Sequence, residues 1–207
     1  PFEWELLAPI RVKGKSEPQA IAVLNRVKPR IGMHLPESDD TEPLVGRDAE
    51  VEQLTRLMDG VLKGKGHVVS IVGEAGLGKS RMVAKALAMA GKRDIQIYGG
   101  EAESHGVNSS YLAWHPIFRG LLGLNPMRSK AEQIRTLRTV LAEIDQTMVQ
   151  RAPVLGPALQ LNIADNELTA GFDAKLRKSL LESMLADVMA FMAKQKPLLL
   201  ILEDCHW

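Results

Sequence analysis

The sequence predicts an α/β fold in which helices cover both faces of a parallel β-sheet, preceded by a separate β-hairpin. An apolar run at residues 68–72 leads into a glycine-rich loop and then into a helix-like segment at residues 81–90. A second apolar run, at residues 198–202, ends in two acidic residues. Predominantly apolar strands are typical of a parallel sheet that is buried on both faces. A further strand predicted at residues 94–98 gives an alternating order of strands and helices.

The first element in chain order is a predicted β-hairpin over residues 2–25. Apolar and polar residues alternate at its start, and residues 20–24 form a second strand-like run. A turn containing Gly14 and Pro18 joins them at residues 13–18. Because a two-stranded hairpin alone is marginally stable in water, we expect this one to belong to a larger sheet encoded upstream.

The hairpin also resembles a known domain. Residues 7–18 read Leu-Ala-Pro-Ile-Arg-Val-Lys-Gly-Lys-Ser-Glu-Pro, which resembles the closing hairpin of the α+β catalytic domain of class III adenylate/guanylate cyclases. The resemblance implies that Lys13 contacts a nucleotide triphosphate; the alternative is an exposed turn lysine. It further implies an upstream cyclase domain as a partner and pairing into a homodimer. The metal-binding aspartates of that family would lie upstream of Pro1, so these residues alone would not cyclise ATP.

A linker is predicted after the hairpin. Residues 27–43 contain three prolines and an acidic stretch, which leaves little apolar surface to bury. We therefore expect residues 1–26 to close one domain, residues 27–43 to be semi-extended, and residues 44–207 to form the N-terminal part of a second domain. The chain opens without methionine and stops directly after an acidic motif, so we expect it to be a fragment.

The second domain opens with a short box and a helix. Asp48 is predicted to cap a helix whose apolar positions follow the 3.6-residue period, namely Val51, Leu54, Leu57, Met58 and Val61. The box Val-Gly-Arg-Asp-x-Glu resembles the opening of STAND/AAA-type (Orc1-like) ATPases. That resemblance implies that Val45, Gly46 and Arg47 line the base and ribose side of a nucleotide pocket. The alternative is a capped amphipathic helix without ligand contact.

The glycine-rich loop fits the phosphate-binding pattern G-x-x-x-x-G-K-[ST]. It reads Gly73-Glu74-Ala75-Gly76-Leu77-Gly78-Lys79-Ser80. Glycines let successive backbone N–H groups turn toward phosphate oxygens, and the helix that follows adds its positive dipole end. Lys79 would lie between the β- and γ-phosphates and the Ser80 hydroxyl would ligate Mg²⁺. With Arg81 these residues form the predicted ATP site; the alternative is a glycine-rich turn that happens to contain Lys-Ser.

Between this loop and the last strand, the sequence alternates loops and amphipathic helices. Residues 101–115 are loop-like and lead into a helix start rich in aromatic residues, which we interpret as packing. Helices are predicted at residues 129–151 and 174–194, each with an apolar face. Glu101 and His105 are catalytic candidates only in a less parsimonious account, and for His105 the alternative is plain solvent exposure.

The final strand delivers Glu203 and Asp204. In phosphate-loop NTPases such a strand brings carboxylates to Mg²⁺ and to the attacking water beside the phosphate loop. By position, Glu203 is the metal-associated carboxylate and Asp204 the water-activating one, although aspartate is commoner at the first position and the division of roles stays open. The motif Leu-Glu-Asp-x-His-Trp resembles that of STAND-like ATPases that accompany bacterial cyclases and large transcriptional regulators. The alternative is a core strand that ends in a solvated acidic pair.

The resemblance to the additional-strand (ASCE) class of NTPases has a structural consequence. In that class, a later strand lies between the phosphate-loop strand and the acidic strand. Here that strand would follow Trp207, so we expect the sheet to have a gap and the isolated chain to be poorly stable.

Composition limits the remaining classes. A net charge of +1 without a basic run gives no reason to expect nucleic acid or an anionic membrane as a partner. The longest apolar run, residues 198–202, is far short of the roughly 20 residues that span a bilayer. The single cysteine, Cys205, excludes a disulfide framework and favours the cytoplasm. Its neighbour His206 would point to the opposite face of a strand, which argues against a shared zinc ion.

Together these features predict an ATP-binding, Mg²⁺-dependent ATPase that serves as a regulatory module in a cyclase-type signalling protein. Its partners would be ATP, the upstream cyclase domain and a downstream ATPase or helical-repeat region. Two alternatives remain open: a nucleotide-binding scaffold that does not hydrolyse ATP, and a STAND-type transcriptional regulator.

Overall fold

The computed structural model describes residues 2–10, 14–15, 18–27, 44–102 and 111–205. Its chain separates into two compact units, residues 1–31 and residues 32–207. The division falls inside the predicted linker. In the described part of the chain, each helix is too short or too polar to cross a membrane.

The first unit is an antiparallel hairpin of β1 (Phe2–Ile10) and β2 (Gln19–Val27). Leu7 lies opposite Ile21 and Glu5 opposite Val23, and the register shifts between Leu7 and Ile10. The predicted hairpin is confirmed. Leu7, Ile10 and Val23 are exposed apolar side chains of this unit. Lys13, the proposed triphosphate contact, lies outside the described residues.

The second unit contains six helices and two strands among its described residues. Its helices are α1 (Asp48–Val61), α2 (Lys79–Gly91), α3 (His115–Leu121), α4 (Lys130–Ile144), α5 (Ala152–Leu159) and α6 (Ala174–Gln195). Short 3₁₀ turns lie at Leu112–Trp114, Gln146–Arg151 and Thr169–Gly171. Its strands are β3 (Gln96–Glu101) and β4 (Leu198–Glu203).

The sheet of this unit confirms the α/β prediction. Strands β3 and β4 run parallel, with pairing from Gln96 opposite Leu198 to Glu101 opposite Glu203. On one face, Ile97 and Leu199 pack against the α1–α2 cluster, whose buried members are Met58, Ala86, Met89, Ala90 and Ile95. On the other face, Tyr98 and Leu200 pack against the main helical core. The sheet therefore lies between two helical layers.

The predicted strand at residues 68–72 is wrong for this structure. The segment has no regular secondary structure, and Val68 and Val72 are 102% and 88% exposed. A strand needs a neighbouring strand to satisfy its backbone N–H and C=O groups. Within the described residues the sheet of this unit consists of β3 and β4 alone, so the apolar run has no sheet partner.

Two helix boundaries also differ from the prediction. The helix expected at residues 129–151 ends at Ile144, because Asp145 has extended backbone angles and its carboxylate accepts a hydrogen bond from the Thr147 N–H at 2.7 Å. This carboxylate starts a separate 3₁₀ turn instead. Asp48 is the first residue of α1 and not its cap, since the N-cap position is Arg47.

The aromatic helix start packs as interpreted from the sequence. Trp114 and Phe118 stack with ring centroids 5.6 Å apart, and both contribute to the main core. The preceding turn lies directly against β3, because a Cβ built on Gly100 would meet the Ala113 carbonyl oxygen at 1.6 Å. Only glycine permits this approach, which holds the turn close to the end of β3.

Candidate nucleotide-binding site

The phosphate loop joins α1 to α2 and has the backbone of an anion-binding loop. Gly76 and Gly78 have positive φ angles of 83° and 81°, which glycine adopts without steric cost. Gly78 is the N-cap of α2, so Lys79 and Ser80 are the first two helical residues. The first turn of α2 contains no acidic residue, and the N-terminal end of a helix favours a bound anion through its dipole and N–H groups.

The Lys79 ammonium is held at this loop. Its Nζ donates hydrogen bonds to the carbonyl oxygens of Gly73 at 2.9 Å and Glu74 at 3.0 Å. These hydrogen bonds link the first residue of α2 to the first two residues of the loop, so the loop closes on the Lys79 ammonium. In this structure the Lys79 ammonium thus lies against the backbone of the first two loop residues.

The loop is open to solvent. Residues 73–77 are exposed, as are Ser80 and Arg81, and the Leu77 side chain is 54% exposed. A polyphosphate could reach the loop backbone without displacing packed side chains.

The opening box lies at the start of α1. Val45 is 90% exposed, and Gly46 has a positive φ of 72°. The Arg47 guanidinium donates to the Glu50 carboxylate at 2.7 Å within the first helical turn, and this bond lowers the pKa of Glu50. The observed contact of Arg47 is thus one within the helix start, and the assignment of Val45, Gly46 and Arg47 to a base pocket stays a prediction.

The acidic residues lie at the C-terminal end of β4. Glu203 is the last residue of the strand and half-buried. Its pKa is raised by burial first, and then by the nearby charges of Asp204 and Glu101. Asp204 follows in the left-handed region, with φ of 53°, and is exposed. Strand β4 therefore ends between Glu203 and Asp204, and the chain turns away from the sheet at Asp204.

The structure adds Glu101 to this acidic end. It pairs with Glu203 across the parallel strands, whereas the sequence indicated it only as a minor candidate in a loop. Strand β3 continues three residues past the predicted end at residue 98, which is what brings Glu101 into the sheet. The predicted bounds, residues 94–98 and 198–202, do not show this neighbour, because the observed register starts with Gln96 opposite Leu198. His105 and His206 lie outside the described residues, and Cys205 is exposed.

The structure thus assembles each half of the predicted site separately. Gly73, Glu74 and Lys79 form one group, and Glu101, Glu203 and Asp204 form the other. Because residues 68–72 are not in the sheet, the strand that was expected to connect the loop to the carboxylate edge is not formed. Among the described residues, no three His, Cys, Asp or Glu side chains are arranged to hold a metal ion.

The chemistry of the available donors fits Mg²⁺. The Ser80 hydroxyl and the carboxylates of Glu203 and Asp204 are hard oxygen ligands, and Mg²⁺ takes few protein ligands while keeping waters and phosphate oxygens. The loop itself supplies glycine backbone, an ammonium and a helix N-terminus, which together suit a polyphosphate.

A comparison with protein families decides what this loop belongs to. A family described as AAA ATPase domain matches residues 43–207. The chain belongs to the AAA ATPase domain family. This AAA domain includes the opening box, the phosphate loop and the acidic strand, so the P-loop NTPase interpretation of the α/β unit is confirmed. The match does not extend to a cyclase domain.

One curated relative is an uncharacterized protein of Rhizobium meliloti (strain 1021). It is 25% identical over 167 residues, which is 80% of this chain and 16% of the relative. The chain therefore spans about a sixth of that relative's length. No solved structure matches this AAA domain.

Proposed function

We propose that residues 44–207 bind ATP with Mg²⁺ and that the protein hydrolyses it. The observation that carries this proposal is the loop at the start of α2, where the Lys79 ammonium is held by the Gly73 and Glu74 carbonyls. Membership of the AAA family supports ATP as the nucleotide.

Each residue has a role in this proposal. The loop N–H groups and the start of α2 hold the phosphates, and Lys79 lies at the β- and γ-phosphates. Ser80 and Glu203 hold the metal ion, and Asp204 orients the attacking water. The Mg²⁺ ion, when bound, neutralises charge that develops on the phosphate oxygens.

The half-buried position of Glu203 supports this division of roles. A carboxylate whose pKa is raised by burial and by neighbouring acids gains most from a nearby cation, because the opposite charge favours its ionised form. Asp204, exposed beyond the strand, is the carboxylate that solvent water reaches. Val45, Gly46 and Arg47 on the base side, and Lys13 on a triphosphate, remain proposals supported by family resemblance alone.

We further propose that the sheet of the intact domain contains a strand between residues 68–72 and β4. The support is the exposure of four apolar side chains that precede the loop, namely Val68, Val69, Ile71 and Val72. A strand beside them would bury these side chains and pair their backbone groups. It would also join the phosphate loop to the carboxylate edge.

The wider biological context is likewise a proposal. The hairpin of β1 and β2 supports attachment to an upstream cyclase domain, with a homodimeric signalling protein in the cytoplasm as the setting. A nucleotide-binding scaffold is the second candidate, and it differs in one measurable respect: it would bind ATP and release no phosphate. A STAND-type transcriptional regulator would also carry a DNA-binding domain elsewhere in its chain.

The experiment that tests the proposed function replaces Lys79. Lys79→Ala removes the charge at the loop, and we expect it to weaken Mg–ATP binding by at least about tenfold, since a charge-assisted contact contributes roughly 1.5–3 kcal/mol. Isothermal titration of the full chain with Mg–ATP measures this directly, and phosphate release is measured in parallel.

The matched control is Lys85→Ala, which removes the same charge from α2 but further along the helix. It should leave the affinity for Mg–ATP within about twofold of wild type. Lys85 lies beyond the first turn of α2, whereas the favourable effect of a helix start on an anion is confined to that turn. Equal affinity of Lys79→Ala and wild type would refute the assignment of the loop.

A further inference from the structure

The phosphate loop carries an acidic side chain of its own. Between Gly73 and Ser80 the charged residues are Glu74 and Lys79, so the loop has no net charge at neutral pH. Glu74 is exposed, and within the described part of the chain its carboxylate forms no salt bridge. The Lys79 ammonium donates to the carbonyl oxygen of Glu74 and not to its carboxylate. The negative charge of Glu74 is therefore open to any ligand of the loop.

The backbone of Glu74 lies beside the ammonium that a phosphate would contact. The Glu74 carbonyl oxygen accepts hydrogen bonds from the Lys79 ammonium at 3.0 Å and from the Leu77 N–H at 3.4 Å. The Glu74 Cα is bonded to that carbonyl group, so the side chain begins within a few ångströms of the ammonium. A phosphate group that contacts Lys79 would thus lie within about one Debye length, roughly 8 Å at physiological salt, of the carboxylate.

The effect of this carboxylate on an anion is opposite to that of the rest of the loop. The helix start and Lys79 attract an anion, whereas a carboxylate repels it in proportion to the anion's net charge. A bound divalent ion cancels about half of the negative charge of ATP, so metal-free ATP carries roughly twice the charge of Mg–ATP. Glu74 therefore disfavours metal-free ATP more strongly than it disfavours Mg–ATP.

We propose that Glu74 is a specificity-determining residue of the phosphate loop, which selects metal-complexed over metal-free polyphosphate by charge repulsion. The proposal rests on the proposed function, because the ligand class comes from the loop and from the family match. It adds a division of labour within the loop. Lys79 supplies affinity for phosphate, and Glu74 sets how much of that affinity metal-free ATP retains.

The test compares Glu74→Gln with wild type in the full chain. Glutamine keeps the size and hydrogen-bonding capacity of the side chain and removes its charge. Isothermal titration measures the affinity for Mg–ATP and, in buffer with EDTA, the affinity for ATP alone. At physiological salt we expect the variant to bind Mg–ATP about twofold and metal-free ATP about fourfold more tightly than wild type, from screened repulsion in water across about 8 Å. At about 0.01 M salt, where screening is weaker, these gains should rise to about fourfold and about fifteenfold.

Two control variants separate charge from structure. Glu74→Asp keeps the charge and should keep the wild-type ratio of the two affinities. Glu143→Gln removes an exposed carboxylate from α4, a helix of the main core and not of the α1–α2 cluster, and should change neither affinity. A merely structural role of Glu74 would shift both affinities by the same factor, independently of salt. Either that result or weaker binding of metal-free ATP by Glu74→Gln would overturn the proposal.

Tripolyphosphate, which carries the phosphates without a base, distinguishes failure of this proposal from failure of the proposed function. If wild type binds tripolyphosphate but not Mg–ATP, the proposed function fails, and the same titrations with metal-free and Mg-complexed tripolyphosphate still decide the role of Glu74. If wild type binds Mg–ATP and Glu74→Gln has the wild-type ratio of affinities, only the role of Glu74 is refuted. If wild type binds neither ligand, both proposals are overturned.

Discussion

Replacing Gly100 by alanine tests the packing that places the end of β3. The added Cβ would meet the Ala113 carbonyl oxygen at 1.6 Å and its carbonyl carbon at 2.7 Å. Both are backbone atoms, so rotation of a side chain cannot relieve the overlap. To restore an ordinary van der Waals distance, the strand or the 3₁₀ turn Leu112–Trp114 must move by more than about 1 Å. Gly100 is also buried, so the strand cannot relieve the overlap by moving outward into solvent.

The expected cost follows from that displacement. Overpacking a core costs typically 1–3 kcal/mol, and with a backbone overlap of this size we expect the free energy of unfolding to fall by about 3 kcal/mol or more. For a domain of this length that corresponds to a fall in melting temperature of about 6–12 °C. Thermal unfolding followed by circular dichroism measures it.

Gly91→Ala is the matched control. Gly91 ends α2, has nothing within 4 Å of its added Cβ and does not have a positive φ, so alanine there should stabilise the helix by about 0.5–1 kcal/mol. If Gly100→Ala melts within about 2 °C of wild type, a loss of less than about 1 kcal/mol, the close approach of β3 and the turn is refuted.

Two further predictions concern pH and helix capping. The pKa of Glu203 in the folded protein is raised above its ordinary value of 4.5. As pH rises, the carboxyl group therefore ionises first in the unfolded state, and the folded state loses stability between the unfolded and the folded pKa. Without divalent ions, Glu203→Gln should therefore melt at a higher temperature than wild type, and by a larger margin at pH 7.5 than at pH 4. The corresponding gain in the free energy of unfolding is less than about 1 kcal/mol for a half-exposed group, and an equal margin at both pH values would contradict this. Ser129→Ala removes the capping box in which the Ser129 hydroxyl and the Glu132 carboxylate each accept the other's backbone N–H, and urea unfolding should show a loss of about 1 kcal/mol that threonine largely restores.

Local patterns identified most of the elements of this protein. The alternation of residues 2–25 predicted the hairpin, and the helical periodicity of α1 and α6 predicted their apolar faces. These signals depend on residues close together in sequence, so they can be recognised without knowing the fold. The phosphate loop is the clearest case, because its glycines, Lys79 and Ser80 are contiguous.

The errors arose where a long-range partner decides the outcome. Residues 68–72 have the composition of a buried strand, yet the segment is exposed, because within the described part of the chain no strand pairs with it. The helix predicted at residues 129–151 was interrupted by Asp145, whose carboxylate caps the next turn. In the first case the missing information is tertiary, and in the second a local polar contact competed with apolar periodicity.

The sequence by itself indicated a loop of the type that suits a polyphosphate, two carboxylates after an apolar strand, and most of the helices. Only the tertiary structure decided which strands pair, and therefore that Glu101 stands opposite Glu203. The physical reason is that phosphate-binding backbone and ligand type are encoded in adjacent residues. The neighbours of a parallel strand, in contrast, come from distant parts of the chain and are selected by packing of the helices between them.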